Sequence, residues 1–319
     1  MAYSVTLDGY DLTEYLAERP LVRVQLSSVS GGLIIPETNV RLRHVDKLFS
    51  GETAPFNACV DAPIVIAYNG GTIFNGIVTA FTDTENGTTL TCQAALARAL
   101  RAVASLEVTA TTPADAAKQI LTAVGITCDA SFDEAAAVYA AAGGLINCYV
   151  AVADNTQVVD VIGKLADLAT ADVYVRDNVA YWQRYVDSNV GYTVTDLLSV
   201  PTVSNDGAAM QYGAYSLRHL YDGQVPATGG SGKPTWTADY GNTQQVQIVG
   251  SASAAYYGAL RIAARATLRP VYTFQAKPSA LPILPGEWYT IDDGILDGQY
   301  RMTGYTTVFP SVVYPVIRY

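Results

Sequence analysis

The sequence predicts an α+β, β-rich fold in which two antiparallel β-barrel-like domains bracket a mixed α/β middle region. Up to about Thr91 the apolar residues alternate loosely, as they do in strands. At Ala94 the period changes to that of a helix, and after Leu268 the strand pattern returns. We therefore expect an N-terminal β-barrel-like domain, an α/β middle domain and a C-terminal β-rich barrel domain, over residues 1–93, 94–200 and 201–319.

A hairpin is the clearest feature of the N-terminal region. The stretch PIVIAYNGGTIFNGIVTAFTD holds two β-branched and aromatic runs separated by Asn69-Gly70-Gly71. A similar plan recurs near residue 289, in YTIDDGILDGQYRMTGYTTVF. The repetition favours two related barrels, with chance likeness between two hairpins as the alternative.

Three helices are predicted in the middle region. The first lies in AALARALRAVAS, where Leu96, Leu100 and Val103 share one face. The second has Thr112 as its N-cap and Pro113 at its first position, and it ends at Gly125. The third begins near residue 155 or 156 in TQVVDVIGKLADLAT and leads into the hairpin ADVYVRDNVAYWQRY, which turns at residues 177 and 178.

One uncharged segment, Ala135 to Ala153, has about the length of a membrane span. It is mostly alanine, and acidic residues flank it instead of Lys or Arg. We favour a loop or short helix that runs into a buried strand over a transmembrane helix.

The C-terminal region begins with a predicted loop. Residues 222–236, DGQVPATGGSGKPTW, contain four glycines and two prolines, so we expect a long exposed loop that a neighbouring protein orders. A last helix is predicted in SASAAYYGALRIAARATL, with Pro270 marking its end. Strands follow in VYTFQAKP, GEWYTIDD, GQYRMTGYTTVF and VVYPVIRY.

The composition limits the classes of partner. With 29 acidic and 19 basic residues the net charge is −10, which disfavours binding to nucleic acid through phosphate neutralisation. Half of the residues are hydrophobic and 15% are charged, so we expect much of the surface to be buried against partners. The N-terminus lacks the basic and apolar pattern of a signal peptide, and we expect folding in the cytoplasm.

The sequence predicts no catalytic, cofactor-binding or metal-binding residues. His44 and His219 are the only histidines, and both lie in strand-like stretches. GGSGKP, residues 229–234, lacks the first glycine and the Ser or Thr of a phosphate-binding loop. The cluster Asp292, Asp293 and Asp297 does not match a calcium loop and has turn roles already. The scattered cysteines are expected to be buried free thiols: Cys59, Cys92, Cys128 and Cys148.

The order of elements resembles the hub family of phage tails, found in contractile baseplates and related long-tail tips. The likeness rests on TTPADAAKQILTAVGI, on TQVVDVIGKLADLATADVYVRDNVAYWQRY, and on PSALPILPGEWYTIDDGILDGQYRMTGYTTV with its turn at Leu284-Pro285-Gly286. The N-terminal ERPLVRVQLSS is compatible with the family's first tube-like barrel.

The resemblance implies a structural, non-enzymatic virion protein without a cofactor. It implies a homotrimer whose two barrels per chain give a near-sixfold ring, which adapts a hexameric tail tube to a threefold spike and lets DNA pass during genome ejection. The implied partners are other copies of the chain, a tail tube or distal tail protein, a central spike or tip protein, and a tape measure protein. Neither sequence-specific nucleic acid binding nor stable membrane insertion is implied, and the virion tail is assembled in the host cytoplasm.

Other functions stay open. A distal tail protein or tube terminator is hexameric, so the measured symmetry separates it from a hub. A tail-associated cell-wall hydrolase is a second alternative, although the chain is short beside larger hubs and has no obvious lysozyme or endopeptidase domain. A secreted carbohydrate-binding β-protein is a third, suggested by the 22 tyrosines.

Overall fold

The structure is a computed structural model. It describes residues 3–25, 32–43, 49, 59–94, 97, 105–150, 158–176, 179–184, 190–194, 197–199, 202–204, 213–220, 223–228, 235–242, 244–265, 271–276, 288–292, 298–302, 304–308 and 311–318.

The strands and helices follow one another in this order: β1 (Tyr3–Leu7), β2 (Tyr10–Asp11), a 3-10 helix (Thr13–Tyr15), β3 (Leu21–Gln25), β4 (Gly32–Ile34), β5 (Glu37–Leu42), β6 (Pro63–Tyr68), β7 (Gly71–Thr84), β8 (Gly87–Ala94), β9 (Leu106–Thr111), α1 (Pro113–Ala123), β10 (Thr127–Cys128), α2 (Ser131–Ala141), β11 (Ile146–Val150), α3 (Val158–Ala169), β12 (Ala171–Arg176), β13 (Val179–Arg184), β14 (Val190–Val194), β15 (Thr202–Ser204), β16 (Ala214–Arg218), β17 (Gln224–Thr228), β18 (Thr235–Asp239), β19 (Val246–Ile248), α4 (Ser251–Arg265), β20 (Val271–Ala276), β21 (Trp288–Ile291), β22 (Gly298–Met302), β23 (Gly304–Val308) and β24 (Ser311–Arg318). The predicted β-rich α+β class is confirmed.

The chain divides into two compact units. The first comprises Met1–Val24, Ile35–Ala99 and Thr306–Val308, and the second comprises Gln25–Ile34, Leu100–Tyr305 and Phe309–Tyr319. The division into three domains at residues 93 and 200 stays a prediction.

The first unit contains an antiparallel sheet with the order β3-β5-β8-β7-β6-β1-β2. The β6–β7 hairpin is the one expected from the sequence, and Asn69 (φ 48°) and Gly70 (φ 84°) form its turn. The segment after β2 reaches β5, because the Ala17 N–H donates to Arg41 O and the Arg43 N–H donates to Tyr15 O. These bonds hold the segment against β5, and closure of the sheet into a barrel stays a prediction.

That core is built by alternation. In β5, Thr38, Val40 and Leu42 are buried, whereas the residues between them are exposed. The buried residues include Val5, Leu7, Val22, Val40, Ile64, Ile66, Phe74, Val78, Leu90 and Cys92. Burial of these side chains is the main force that holds the first unit together.

The second unit begins with an α/β part. The strand order β10-β13-β12-β4 forms one sheet, on which α3 packs through β12 and β4. Helices α1 and α2 pack beside it, and β19-β11-β9 forms a second small sheet. The Thr112 hydroxyl accepts a hydrogen bond from the Asp115 N–H, which confirms the predicted N-cap of α1.

The remaining predictions for the middle region have mixed outcomes. The helix-to-strand interpretation of residues 135–153 is confirmed up to Val150, by α2 and by β11 with its alternating burial. The hairpin of β12 and β13 is confirmed, whereas its turn residues lie outside the described part of the chain. The helix predicted at 94–105 lies almost entirely outside the described residues too. No helix in the described ranges is long and apolar enough to cross a membrane.

The C-terminal part of the second unit contains the predicted helix α4 and two groups of strands. Helix α4 packs on the sheet β17-β16-β18. Strands β14, β21, β22 and β24 are paired in that order, and β15 pairs with β20, which pairs with β24.

The loop predicted over residues 222–236 is wrong for much of its length. Gln224–Thr228 forms β17 and Thr235 begins β18, and both strands pair with β16. The glycines and prolines suggested a loop, but alternation in this segment lets β17 place Val225 and Ala227 toward the half-buried side. Residues 229–234, with the GGSGKP motif, lie outside the described residues.

Candidate assembly surface

An outer face of the first unit carries the candidate site. On β3 the exposed residues are Leu21 and Arg23, and on β5 they are Glu37, Asn39 and Arg41, because the alternate residues of both strands fill the core. The Thr38 hydroxyl donates to Leu21 O at 2.8 Å and ties the two strands together. The outward residues therefore stand on a well-ordered support.

These side chains surround a shallow depression with a volume of about 360 Å³. We call it the arginine depression. Its charged lining residues are Glu18, Arg19, Arg23, Glu37 and Arg41, and Leu21 lies among them with 49% of its surface exposed. An apolar residue surrounded by guanidinium groups is typical of a protein contact surface.

The charges are partly paired. Arg41 Nε lies 3.4 Å from Glu18 Oε1, with more than half of each side chain exposed, and Arg23 stands opposite Glu37 across β3 and β5. Exposed pairs of this kind add little stability, so their charges remain available to a partner. In the described part of the first unit, the basic residues are the three arginines of this depression and Arg43, which follows β5.

A second exposed surface lies on the sheet β17-β16-β18. Thr235, Trp236 and Thr237 of β18 are exposed, and β18 forms an edge of this sheet among the described strands. At the other edge Pro226 lies within β17, where the missing N–H protects that edge from further pairing. Strand β18 has no proline between Thr235 and Ala238.

Buried aromatic side chains of the second unit form two hydrogen bonds. Tyr139 accepts a hydrogen bond from Trp182 Nε1–H at 3.1 Å, and both rings are buried. Tyr257, also buried, donates its hydroxyl proton to Gly144 O at 2.6 Å. Burial raises the pKa of Tyr257 well above its ordinary value, so this phenol stays a donor. These contacts are structural.

The side chains considered for chemistry do not form a reactive site in the described residues. His219 Nδ1 contacts Leu220 O at 2.8 Å, and Asp292 is exposed. His44, Asp293 and Asp297 lie outside the described ranges. No group of three His, Cys, Asp or Glu side chains that could hold a metal ion occurs within those ranges.

The cysteines are free, and Cys59, Cys92 and Cys148 are buried, as predicted, whereas Cys128 is half-buried. Burial raises the pKa of Cys92 and of Cys148 to about 12 and that of Cys128 to about 11. Thiols with such pKa values are poor nucleophiles at neutral pH.

The arginine depression was not anticipated from the sequence. A signal was present in ERPLVRVQ, where charged or exposed residues alternate with Val and Leu. The pattern could not show that β5 lies beside β3 and adds Arg41, since that depends on the strand order.

Comparisons with known proteins decide the fold family. No family model matches the sequence, and no curated protein matches it. Among solved structures, a tail protein from Neisseria meningitidis MC58 is similar with a TM-score of 0.65 and 10% identity, over 100% of this chain and 97% of that one. The chain has the fold of phage tail proteins. The 43 kDa tail protein of prophage MuSo2 from Shewanella oneidensis is similar with a TM-score of 0.60 and 9% identity, over 99% of this chain and 98% of that one.

This tail-protein fold is also shared with a secretion protein. The E. coli c3393 protein, a component of the type VI secretion system with structural similarity to the T4 tail proteins gp27 and gp5, matches with a TM-score of 0.51 and 11% identity. The match covers 99% of this chain and 76% of that chain. The resemblance to phage tail proteins inferred from the sequence is thus confirmed as a likeness of fold.

Proposed function

We propose that the protein is a structural component of a phage tail, the hub of a baseplate or tail tip, and that it forms a ring joining the tail tube to the central spike. The observation that carries the proposal is the likeness to two tail proteins over nearly the full length of both chains. Such coverage means that the whole chain, and not one module, follows the tail-protein plan.

The ring is proposed to be a homotrimer. The likeness to a protein that itself resembles the T4 tail proteins gp27 and gp5 supports a place in a tail or a tail-like assembly. Two β-rich parts per chain would give near-sixfold contacts toward the tube and threefold contacts toward the spike. The proposed partners are a tail tube or distal tail protein, a spike or tip protein and a tape measure protein.

The ring is proposed to act without catalysis. Its work is to hold the tube and the spike together and to leave a channel for DNA during ejection. We propose that acidic residues line the channel, because a chain with net charge −10 and few basic residues repels passing phosphates instead of retaining them. Acidity confined to the outer face, where it would only aid solubility, is the alternative.

The location in the particle tests this function. Antibodies raised against the purified chain, detected with gold in electron micrographs of intact tails, are expected to label the end of the tail distal to the head. Label along the whole tail shaft, or absence of label from particles whose other tail proteins are labelled, would contradict the hub assignment. Incubation with bacterial cell wall is expected to give no clearing.

A further inference from the structure

We infer that the β1–β2 hairpin of one copy docks into the arginine depression of a second copy, with Tyr10 packed on Leu21. The inference rests on the proposed function and identifies a contact between copies of the chain. It joins an acidic hairpin to a depression lined by three arginines.

The hairpin holds Tyr10 in an exposed position next to a tight turn. Asp8 (φ 49°) and Gly9 (φ 83°) form a two-residue turn, and Leu7 is paired with Tyr10 across it. Tyr10 is 61% exposed, the largest exposed fraction among the large hydrophobic residues of the described ranges. A tyrosine held on a short hairpin loses little freedom on docking, which favours binding.

The surroundings of Tyr10 are acidic. Asp8, Asp11 and Glu14 are exposed, and the sequence has no Lys or Arg before Arg19. The Thr13 side chain donates a hydrogen bond to Asp11, and the Thr13 N–H donates another to Asp11 Oδ1 at 2.9 Å. These bonds, the side-chain one first, lower the pKa of Asp11, so this carboxylate is ionised and oriented.

The arginine depression carries the opposite sign of charge. Its lining holds three arginines and two glutamates, so its net charge is +1, against three carboxylates around Tyr10 on the hairpin. Its volume of about 360 Å³ leaves room for a tyrosine ring above Leu21. Tyrosine and arginine are the side chains most often found at the energetic centres of protein interfaces.

The two surfaces belong to different strands, so one copy can use both at once. The hairpin of each copy then binds the next copy, and the contact is head-to-tail instead of self-matching. Head-to-tail contacts close into rings when the rotation between copies allows it. A salt-sensitive ionic component is expected, because the charged residues are exposed.

Charge reversal tests the contact on the full-length chain. In Arg23→Glu with Arg41→Glu the depression becomes acidic, and in Asp11→Lys with Glu14→Lys the hairpin becomes basic. Each double variant is expected to raise the concentration needed for half-assembly at least tenfold, measured by mass photometry. A chain with all four substitutions is expected to recover rings of the wild-type size, because both charges are exchanged.

Mixing the two double variants gives a sharper expectation. Each copy then binds only a copy of the other kind, so species with even numbers of copies form and a trimeric ring cannot close.

Tyr10→Ala, which changes no charge, is expected to raise the concentration needed for half-assembly at least tenfold. Glu85→Lys, on the β7–β8 turn of the same unit, is the matched control and is expected to assemble like wild type. Circular dichroism establishes that each variant is folded.

The outcomes separate the two proposals. If the wild type forms rings and both folded double variants assemble equally well, the docking inference is overturned while the proposed function stands. If the wild type stays monomeric at every concentration and salt level, both are overturned. If the quadruple variant is folded but stays monomeric, the charge pairing is contradicted as well.

Discussion

The Arg261 Nη2 atom lies 2.6 Å from Asp167 Oδ2, with only 3% of the Arg261 side chain exposed. The same guanidinium donates to the backbone carbonyl of Asp167 and lies 5.4 Å from the centre of the Tyr215 ring. Burial alone would lower the pKa of Arg261, but the Asp167 carboxylate outweighs this effect and raises it. The pair therefore joins the last turn of α3 to α4 with a charged arginine.

Loss of that carboxylate leaves a buried cation without its counter-charge. Asp167→Ala is expected to lower the free energy of unfolding by roughly 2 kcal/mol, less than for a fully buried pair because 41% of the Asp167 side chain is exposed. Chemical denaturation measures this. The control is Asp133→Ala, which breaks an exposed pair with Lys118 and is expected to cost less than about 1 kcal/mol. Equal effects of the two variants would contradict the structural role of Arg261.

Two glycines give opposite predictions. A Cβ on Gly144 would lie 2.7 Å from Tyr257 Oη, and Tyr257 is held among the rings of Tyr139 and Tyr256. Gly144→Ala is thus expected to destabilise the protein by about 2 kcal/mol. Gly163, inside α3, has no neighbour within 4 Å of such a Cβ.

The matched variant is Gly163→Ala, which is expected to stabilise the protein by about 0.5 to 1 kcal/mol, since alanine favours the helix. Thermal unfolding of both variants under one set of conditions compares them. A Gly144→Ala variant as stable as the wild type would contradict the close packing of Gly144 against Tyr257.

Buried thiols predict a loss of stability at alkaline pH. The pKa of Cys148 is raised by burial from its ordinary value of 9.0 to about 12 in the folded protein. Because the unfolded thiol ionises first, its contribution is complete below pH 9 and is lost as the pH rises toward 12. Cys148→Ala is expected to show a smaller fall in the free energy of unfolding between pH 8.5 and 10.5 than the wild type does. Identical pH profiles would contradict the burial of this thiol.

The sequence predicted the helices and hairpins better than it predicted which residues lie on exposed surfaces. The cap at Thr112, the β6–β7 hairpin and the β12–β13 hairpin follow from local chemistry, and each was confirmed. The strands β17 and β18 were missed because glycine and proline dominate the segment, whereas pairing with β16 decides its structure. The exposure of Tyr10 could not be predicted from the sequence, since it depends on β2 lying at the end of the sheet.

The stoichiometry and symmetry of the assembled protein test the central claim most directly. Native mass spectrometry together with class averages from electron micrographs of the purified full-length chain gives both. We expect a closed ring of three copies with a central opening. A monomer at all concentrations, an open filament or a sixfold hexamer would contradict it.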